Sequence, residues 1–283
     1  MSATGCWIDS RPANALNPAL RAVHYGDGLF ETLRVSGARI DYLARHLQRL
    51  QAGCQRLQLG FADWAGLEAE LQQRAGEVGE GVIKLILSRG PGARGYRFTP
   101  GQGVSRIVST HAPPAWPPAH ATDGVGVRIC ELRLSLQPRL AGIKHLNRLE
   151  QVMARAEWGD EYEEGLMLDY NGCLIEGTMS NLFVIRDGTL LTPRLDDCGV
   201  AGVMRSVLLD IAAGLGVGTR RETLLPADLQ SAEEVFLCNS LIGVWPVVSV
   251  APRYRYEVGP LTRQFQRALR LHSGDTSANW YSW

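Results

Sequence analysis

The sequence predicts an α+β protein of two domains joined by a proline-rich linker, with a barrel-like sheet in the second. Three observations predict it. The chain has 283 residues, long for one small core and suited to two modest ones. His111-Ala-Pro-Pro-Ala-Trp-Pro-Pro-Ala-His120 sets four prolines within six residues, and proline lacks the amide that helices and sheet ladders use. Hairpin signals alternate with single helical stripes, unlike the strand–helix repeat of a doubly wound parallel sheet. The predicted division is an N-terminal α+β domain over 1–110, a linker over 111–121 and a C-terminal domain over 122–283.

In the first domain, Asp27 to Val35 reads as a strand after a Gly26-Asp27-Gly28 bend. Apolar residues at 43, 47, 50, 54 and 57 make Tyr42–Leu57 a helical stripe. Asp63 is placed to cap a second helix running to about Ala75. Val82–Leu87 is a buried strand leading into the glycine-rich Ser88-Arg-Gly-Pro-Gly-Ala-Arg-Gly-Tyr96, and Val104–Ser109 is another strand. The second domain opens with a strand over 125–132 and a helix over about 146–158. Two hairpins follow, turning at Asn171-Gly172 and Asp187-Gly188, dipeptides that tolerate positive φ. A helix over 202–215, strands over 234–238 and 244–250, a last helix over 261–271 and a loose tail after Ser273 complete the reading.

Formal net charge is zero and no basic run appears, which argues against a nucleic-acid partner and for a small molecule. Six cysteines lack CxxC spacing and no secretory apolar segment opens the chain. Free thiols in a reducing, cytoplasmic compartment are expected. No stretch approaches the roughly 20 apolar residues of a membrane span. No HExxH, no Gly-x-Ser-x-Gly and no metal-spaced His/Cys set occurs, so no metal is expected.

Lysines are scarce: only Lys84 and Lys144 occur among 29 basic residues. Lysine is the side chain that can shed its proton and attack a carbonyl. Lys144 lies in Ala141-Gly-Ile-Lys-His-Leu-Asn147 just ahead of a predicted helix, with Arg139, His145 and Arg148 near in sequence; its position also fits a surface lysine. Lys84 sits inside an apolar run, either as a snorkelling edge-strand residue or facing a site. Glu176 stands between an apolar strand end and a Gly-Thr bend, where it is either a buried acid or a turn cap. Gly199–Arg205 enters a helix, and helix N-termini bind phosphate. Asn239 and Ser240 follow a strand, and Arg49 is on the polar side of the first long helix. Arg89, Arg94 and Arg97, with Tyr96, crowd the glycine-rich segment and could grip carboxylates.

Five segments, in order along nearly the whole chain, carry a resemblance. They are Tyr25-Gly-Asp-Gly-Leu-Phe-Glu-Thr32, His46-Leu-Gln-Arg-Leu50, Lys144-His-Leu-Asn147, Glu176-Gly-Thr-Met-Ser-Asn-Leu-Phe183 and Gly202-Val-Met-Arg205. Together they resemble the fold-type IV pyridoxal 5′-phosphate (PLP) enzymes, the family of branched-chain and D-amino-acid aminotransferases and aminodeoxychorismate lyase. The resemblance implies a smaller N-terminal and a larger C-terminal domain, with PLP in the cleft and a homodimer. It implies Lys144 as the Schiff-base lysine and Glu176 as partner of the pyridine nitrogen. The phosphate is expected at Arg49, the backbone of Val203 and Met204, and the region of Asn239 and Ser240.

Within the family the lyase branch fits best, on Ser88–Tyr96, Gly142–Gln151, Thr192-Pro-Arg-Leu-Asp196 and Cys238-Asn-Ser-Leu241. That branch converts 4-amino-4-deoxychorismate to 4-aminobenzoate and pyruvate, a step of folate biosynthesis. Two departures stand out: Leu20-Arg21 replaces the frequent Asp-Arg, with little effect expected, and Met204 replaces a threonine common in aminotransferases. An aminotransferase on the same scaffold is the alternative. From another class, so is a phosphate-ligand binding protein without catalysis.

Overall fold

A computed structural model of the chain describes residues 3–92 and 94–272; the expected tail after Ser273 lies outside them. The chain forms two compact units. One runs to Pro114 and takes in Ile143–Asn147; the other comprises Ala115–Gly142 and the described residues from Arg148 onward.

The first unit is built from β1 (Ala3–Ile8), β2 (Arg11–Pro12), α1 (Arg21–Tyr25), β3 (Gly28–Ser36), β4 (Arg39–Ile40), α2 (Leu43–Leu57), α3 (Trp64–Val78), β5 (Gly81–Arg89) and β6 (Val104–His111). Its antiparallel sheet has the order β2-β1-β6-β5-β3-β4. Alternation sends Leu29, Glu31 and Leu33 of β3 to the enclosed face, and α2 packs on β3 through the stripe His46, Leu47, Leu50 and Cys54. Asp63 caps α3 as expected, its side chain accepting the Gly66 amide at 3.1 Å. Lys84, read as a possible edge-strand residue, is on a central strand: β5 lies between β3 and β6, and Lys84 projects from the solvent side.

Residues 143–147 pair with β3. Phe30 N–H donates to the Lys144 carbonyl at 3.0 Å and Leu146 N–H to the Gly28 carbonyl at 3.1 Å. The helix predicted from about 146 therefore starts later, because extended pairing claims the residues ahead of it. The proline-rich segment is also shorter than expected: β6 reaches His111, the units divide at Pro114, and a helix opens right after Pro118. Proline is tolerated at a helix start, where the missing amide has no partner to lose.

The second unit comprises α4 (Ala119–Thr122), β7 (Val125–Leu134), α5 (Leu149–Arg155), β8 (Glu164–Asp169), β9 (Leu174–Gly177), β10 (Asn181–Arg186), β11 (Thr189–Pro193), α6 (Val203–Gly214), β12 (Thr219–Glu222), β13 (Glu234–Asn239), β14 (Gly243–Ala251), β15 (Tyr254–Arg255) and α7 (Pro260–His272). Both predicted hairpins form, with Asp187 and Gly188 at φ 50° and 65°. The sheet runs β12-β11-β10-β13-β14-β7-β8-β9, and β9 pairs back onto β10. Six strands thus close into a ring, β7-β8-β9-β10-β13-β14, around buried Val127, Leu166, Leu182, Leu237 and Val247. The closing pair is Glu176 opposite Asn181.

Candidate active site

Site residues gather in two places, one per unit. In the first, Lys144 is half-buried and its Nζ lies 4.3 Å from the centroid of the Phe30 ring. The position follows from the pairing with β3, which fixes the backbone at the lysine carbonyl and just beyond it, through His145 and Leu146. Lys84 Nζ approaches the same ring at 5.7 Å from the solvent-exposed position on β5.

Beneath this lies a buried charge cluster. Glu31 of β3 accepts Arg49 Nε at 2.8 Å, a second, shorter contact from the same guanidinium, and His46 Nδ1 at 2.7 Å. Burial alone would raise the Glu31 pKa, but the Arg49 charge and His46 outweigh it and hold it at about 2. Burial pushes His46 below its ordinary value and the Glu31 charge opposes this; Lys144 and Arg49 add to the lowering. A neutral His46 donates from Nδ1 to the carboxylate. Its Nε2 has no hydrogen-bond partner among the described residues. Arg49, expected to hold phosphate, is thus oriented by Glu31. Sequence reading missed Glu31 as a site residue; its signal was an acid at a core-facing position of an alternating strand.

In the second unit, Glu176 is buried and its Oε2 accepts the Val200 amide at 2.8 Å. The Val200 carbonyl in turn accepts Asn181 Nδ2 at 2.9 Å, so the closing pair of the barrel also orients the carboxylate. Burial lowers the Arg148 pKa while the Glu176 and Glu150 charges oppose it, which puts Arg148 in the field of Glu176. Gly199 passes directly over this acid at φ +84°, and a Cβ there would meet Ile175 and Leu195. Gly202 then starts α6 without a side-chain cap; a Cβ on it would collide with the Asn181 carboxamide. The first amides of α6, at Val203 and Met204, are therefore donors with no partner inside the helix, at its positive end.

A buried carboxylate fixes the turn after β9. Glu164 accepts the amides of Thr178 and Met179, each at 3.0 Å, Ser180 Oγ at 2.8 Å and the Thr178 hydroxyl. Asn239, expected at the phosphate, has its side chain committed elsewhere. Its Oδ1 accepts the amides of Leu241 and Ile242 and its Nδ2 donates to Met179 O. It shapes the turn holding the half-buried Ser240.

Of the arginines expected to meet substrate, Arg94 and Arg97 are exposed, as is Tyr96. Arg89 is corrected: β5 extends through it, it is 3% exposed, and all its nitrogens are engaged. Nε donates to Asp27 at 2.9 Å, and the other two donate to the carbonyls of Gln58 and Leu57. Turned inward on these partners, it does not face a carboxylate from outside. The described residues hold no metal-ligating group of three or more acidic, histidine or cysteine side chains.

These two clusters hold a lysine amine, a fixed buried carboxylate and a glycine-led helix start. An aminodeoxychorismate lyase of Vibrio harveyi is 37% identical over 272 residues, 93% of this chain and 98% of that protein. The solved 4-amino-4-deoxychorismate lyase of Pseudomonas aeruginosa is 48% identical with a TM-score of 0.91, covering 94% of this chain and 98% of its own. The solved branched-chain amino acid aminotransferase of Escherichia coli shares the fold alone. It has a TM-score of 0.85 at 23% identity, covering 99% of this chain and 98% of its own. The amino-transferase class IV profile matches residues 28–250, a span that takes in both clusters, and the chain belongs to that family.

Proposed function

We propose that this chain is a PLP-dependent lyase converting 4-amino-4-deoxychorismate to 4-aminobenzoate and pyruvate. The observation that carries the reading is its 48% identity, over 94% of its length, to a solved lyase of that name. The residues fit the cofactor. Bound PLP supplies an electron sink conjugated with the substrate amine.

Lys144 Nζ is assigned to hold the cofactor's aldehyde end and to move the proton at the amine-bearing ring carbon of the substrate. Glu176, oriented through Val200, is assigned to the pyridine nitrogen. The amides of Val203 and Met204, with Ser240 and Arg49, are assigned to the phosphate; Met204 contributes backbone alone. Arg94, Arg97 and Tyr96 are assigned to the substrate's carboxylates. Loss of that proton and of the neighbouring enolpyruvyl oxygen, which leaves with the electrons of its bond to the ring, gives an aromatic ring, and the released enolate takes up a proton at its methylene carbon to become pyruvate.

Self-association and a cytoplasmic place, in folate biosynthesis, belong to the same proposal. Leu149, Val152 and Met153 form an exposed apolar stripe on α5, which supports a homodimer. Six free thiols support a reducing compartment.

The test has two arms. Borohydride reduction of the protein with PLP, followed by peptide mass spectrometry, should mark Lys144 and not Lys84, and Lys144→Ala should lose both label and turnover. Pyruvate should appear from aminodeoxychorismate without an amino acceptor. Activity only with an amino acid plus 2-oxoglutarate would mean an aminotransferase, and a chain that ignores PLP would mean a binding protein.

A further inference from the structure

The loop bearing Arg94, Tyr96 and Arg97 is anchored by a buried residue that the chemistry leaves unused. Arg21, on α1, is 5% exposed. Its Nε donates to Asp27 Oδ2 at 2.8 Å, and its other two nitrogens donate to the carbonyls of Gly95 at 2.9 Å and Tyr96 at 3.0 Å. The held peptide units thus fall between the two exposed arginines. The guanidinium also lies 4.7 Å from the centroid of the Tyr25 ring. The Tyr25 hydroxyl accepts the Gly95 amide at 3.3 Å, and the ring meets Tyr96 edge-on at 5.4 Å.

Asp27 Oδ2 is shared. It also accepts Arg89 Nε, and Arg89 stacks 3.8 Å over Phe98 on the far side of the loop. The base is closed separately: Gly90 N–H donates to Gly103 O at 2.7 Å, and Gln102 Nε2 donates to the carbonyls of Gly90 and Pro91. Among the described residues the base contacts reach Pro91 on one side and Thr99 on the other, so without Arg21 the tip would keep only the Tyr25 hydroxyl, the Tyr25–Tyr96 edge contact and Arg89 over Phe98.

We infer that Arg21 is a positioning residue for substrate recognition: paired with Asp27, it holds the backbone of Gly95 and Tyr96 so that Arg94, Tyr96 and Arg97 are preset for an anionic substrate. The inference rests on the reading above that this loop meets the substrate's carboxylates. A loop ordered in advance does not charge its ordering entropy to the binding step. Release of the loop therefore weakens substrate binding while leaving the lysine and the acid untouched.

The test uses the holoenzyme. Arg21→Met keeps the volume and leaves Asp27 paired with Arg89. Arg21→Lys keeps the buried charge and lacks the planar fork that reaches both carbonyls. In both variants KM for aminodeoxychorismate should rise about tenfold with kcat within about threefold of wild type, and the PLP absorption band should be unchanged. Trypsin should cut after Arg94 and Arg97 faster than in wild type. An unchanged KM in both variants, or a loss carried by kcat, overturns the inference while the lyase reading stands. A wild-type protein that releases no pyruvate overturns the lyase reading itself, and the inference with it.

Discussion

His46 Nδ1 and Glu31 Oε2 meet at 2.7 Å with both side chains enclosed, so strand β3 and the helix over it are tied by charge as well as by apolar contact. The same carboxylate holds Arg49. Glu31→Gln would leave a guanidinium short of its counter-charge in a largely enclosed place. Breaking one partner of a buried pair costs about 3–5 kcal/mol. Urea unfolding of the variant should show a loss of that order; a loss near that of an exposed pair would contradict the network.

The same two groups set an acid dependence. Glu31 titrates near 2 in the fold against an ordinary 4.5. On acidification the unfolded chain takes up that proton first, so the Glu31 contribution is complete above 4.5 and drains away as pH falls toward 2. His46 is held below its ordinary 6.5, so stability also falls as pH drops below 6.5. Both slopes have one sign. Thermal melts should decline in two stages on acidification, and His46→Gln should remove the upper stage. A melting temperature that stays level from neutrality down to about pH 5 would argue against a buried neutral His46.

Asn181 joins the barrel closure to the Glu176 carboxylate through Val200. Asn181→Ala removes that brace and leaves the α6 start without its neighbour. PLP affinity, followed by absorbance titration, should weaken about tenfold, with roughly 1 kcal/mol of stability lost to the missing hydrogen bond. Unaltered affinity would separate the brace from the cofactor site.

Glu164 accepts from four donors of the Thr178–Ser180 turn. Glutamine there would turn an amide toward groups that also donate. Glu164→Gln should lower unfolding free energy by about 1–3 kcal/mol in chemical denaturation, whereas indifference to the change would mean the turn holds its shape unaided.

Much of this was legible in the residues. The alternation of β5, the Asp63 cap and the Asp187-Gly188 turn are set by local chemistry, and local chemistry is what a sequence displays. Lys144 and Glu176 each kept two readings on position alone, and it was the ordered segments resembling the fold-type IV enzymes that singled them out. What stayed hidden depends on distant partners. β1 is a strand because β6 runs beside it, and the polar Thr219–Glu222 is one because it lies parallel to β11. Ile143–Asn147 joins the first unit because β3 offers an edge there. Arg89 read as a loop cation because nothing nearby in sequence announces Asp27 as its partner.

The backbone of Glu176 and its side chain answer to different demands. The former sews the cylinder shut at position 181; the latter, one rotamer away, carries the acidity. Shortening the acid to aspartate would draw the charge back by a methylene, off the Val200 amide, while the backbone pair stays in place, so at this seam the charge can be moved without asking the strands to change.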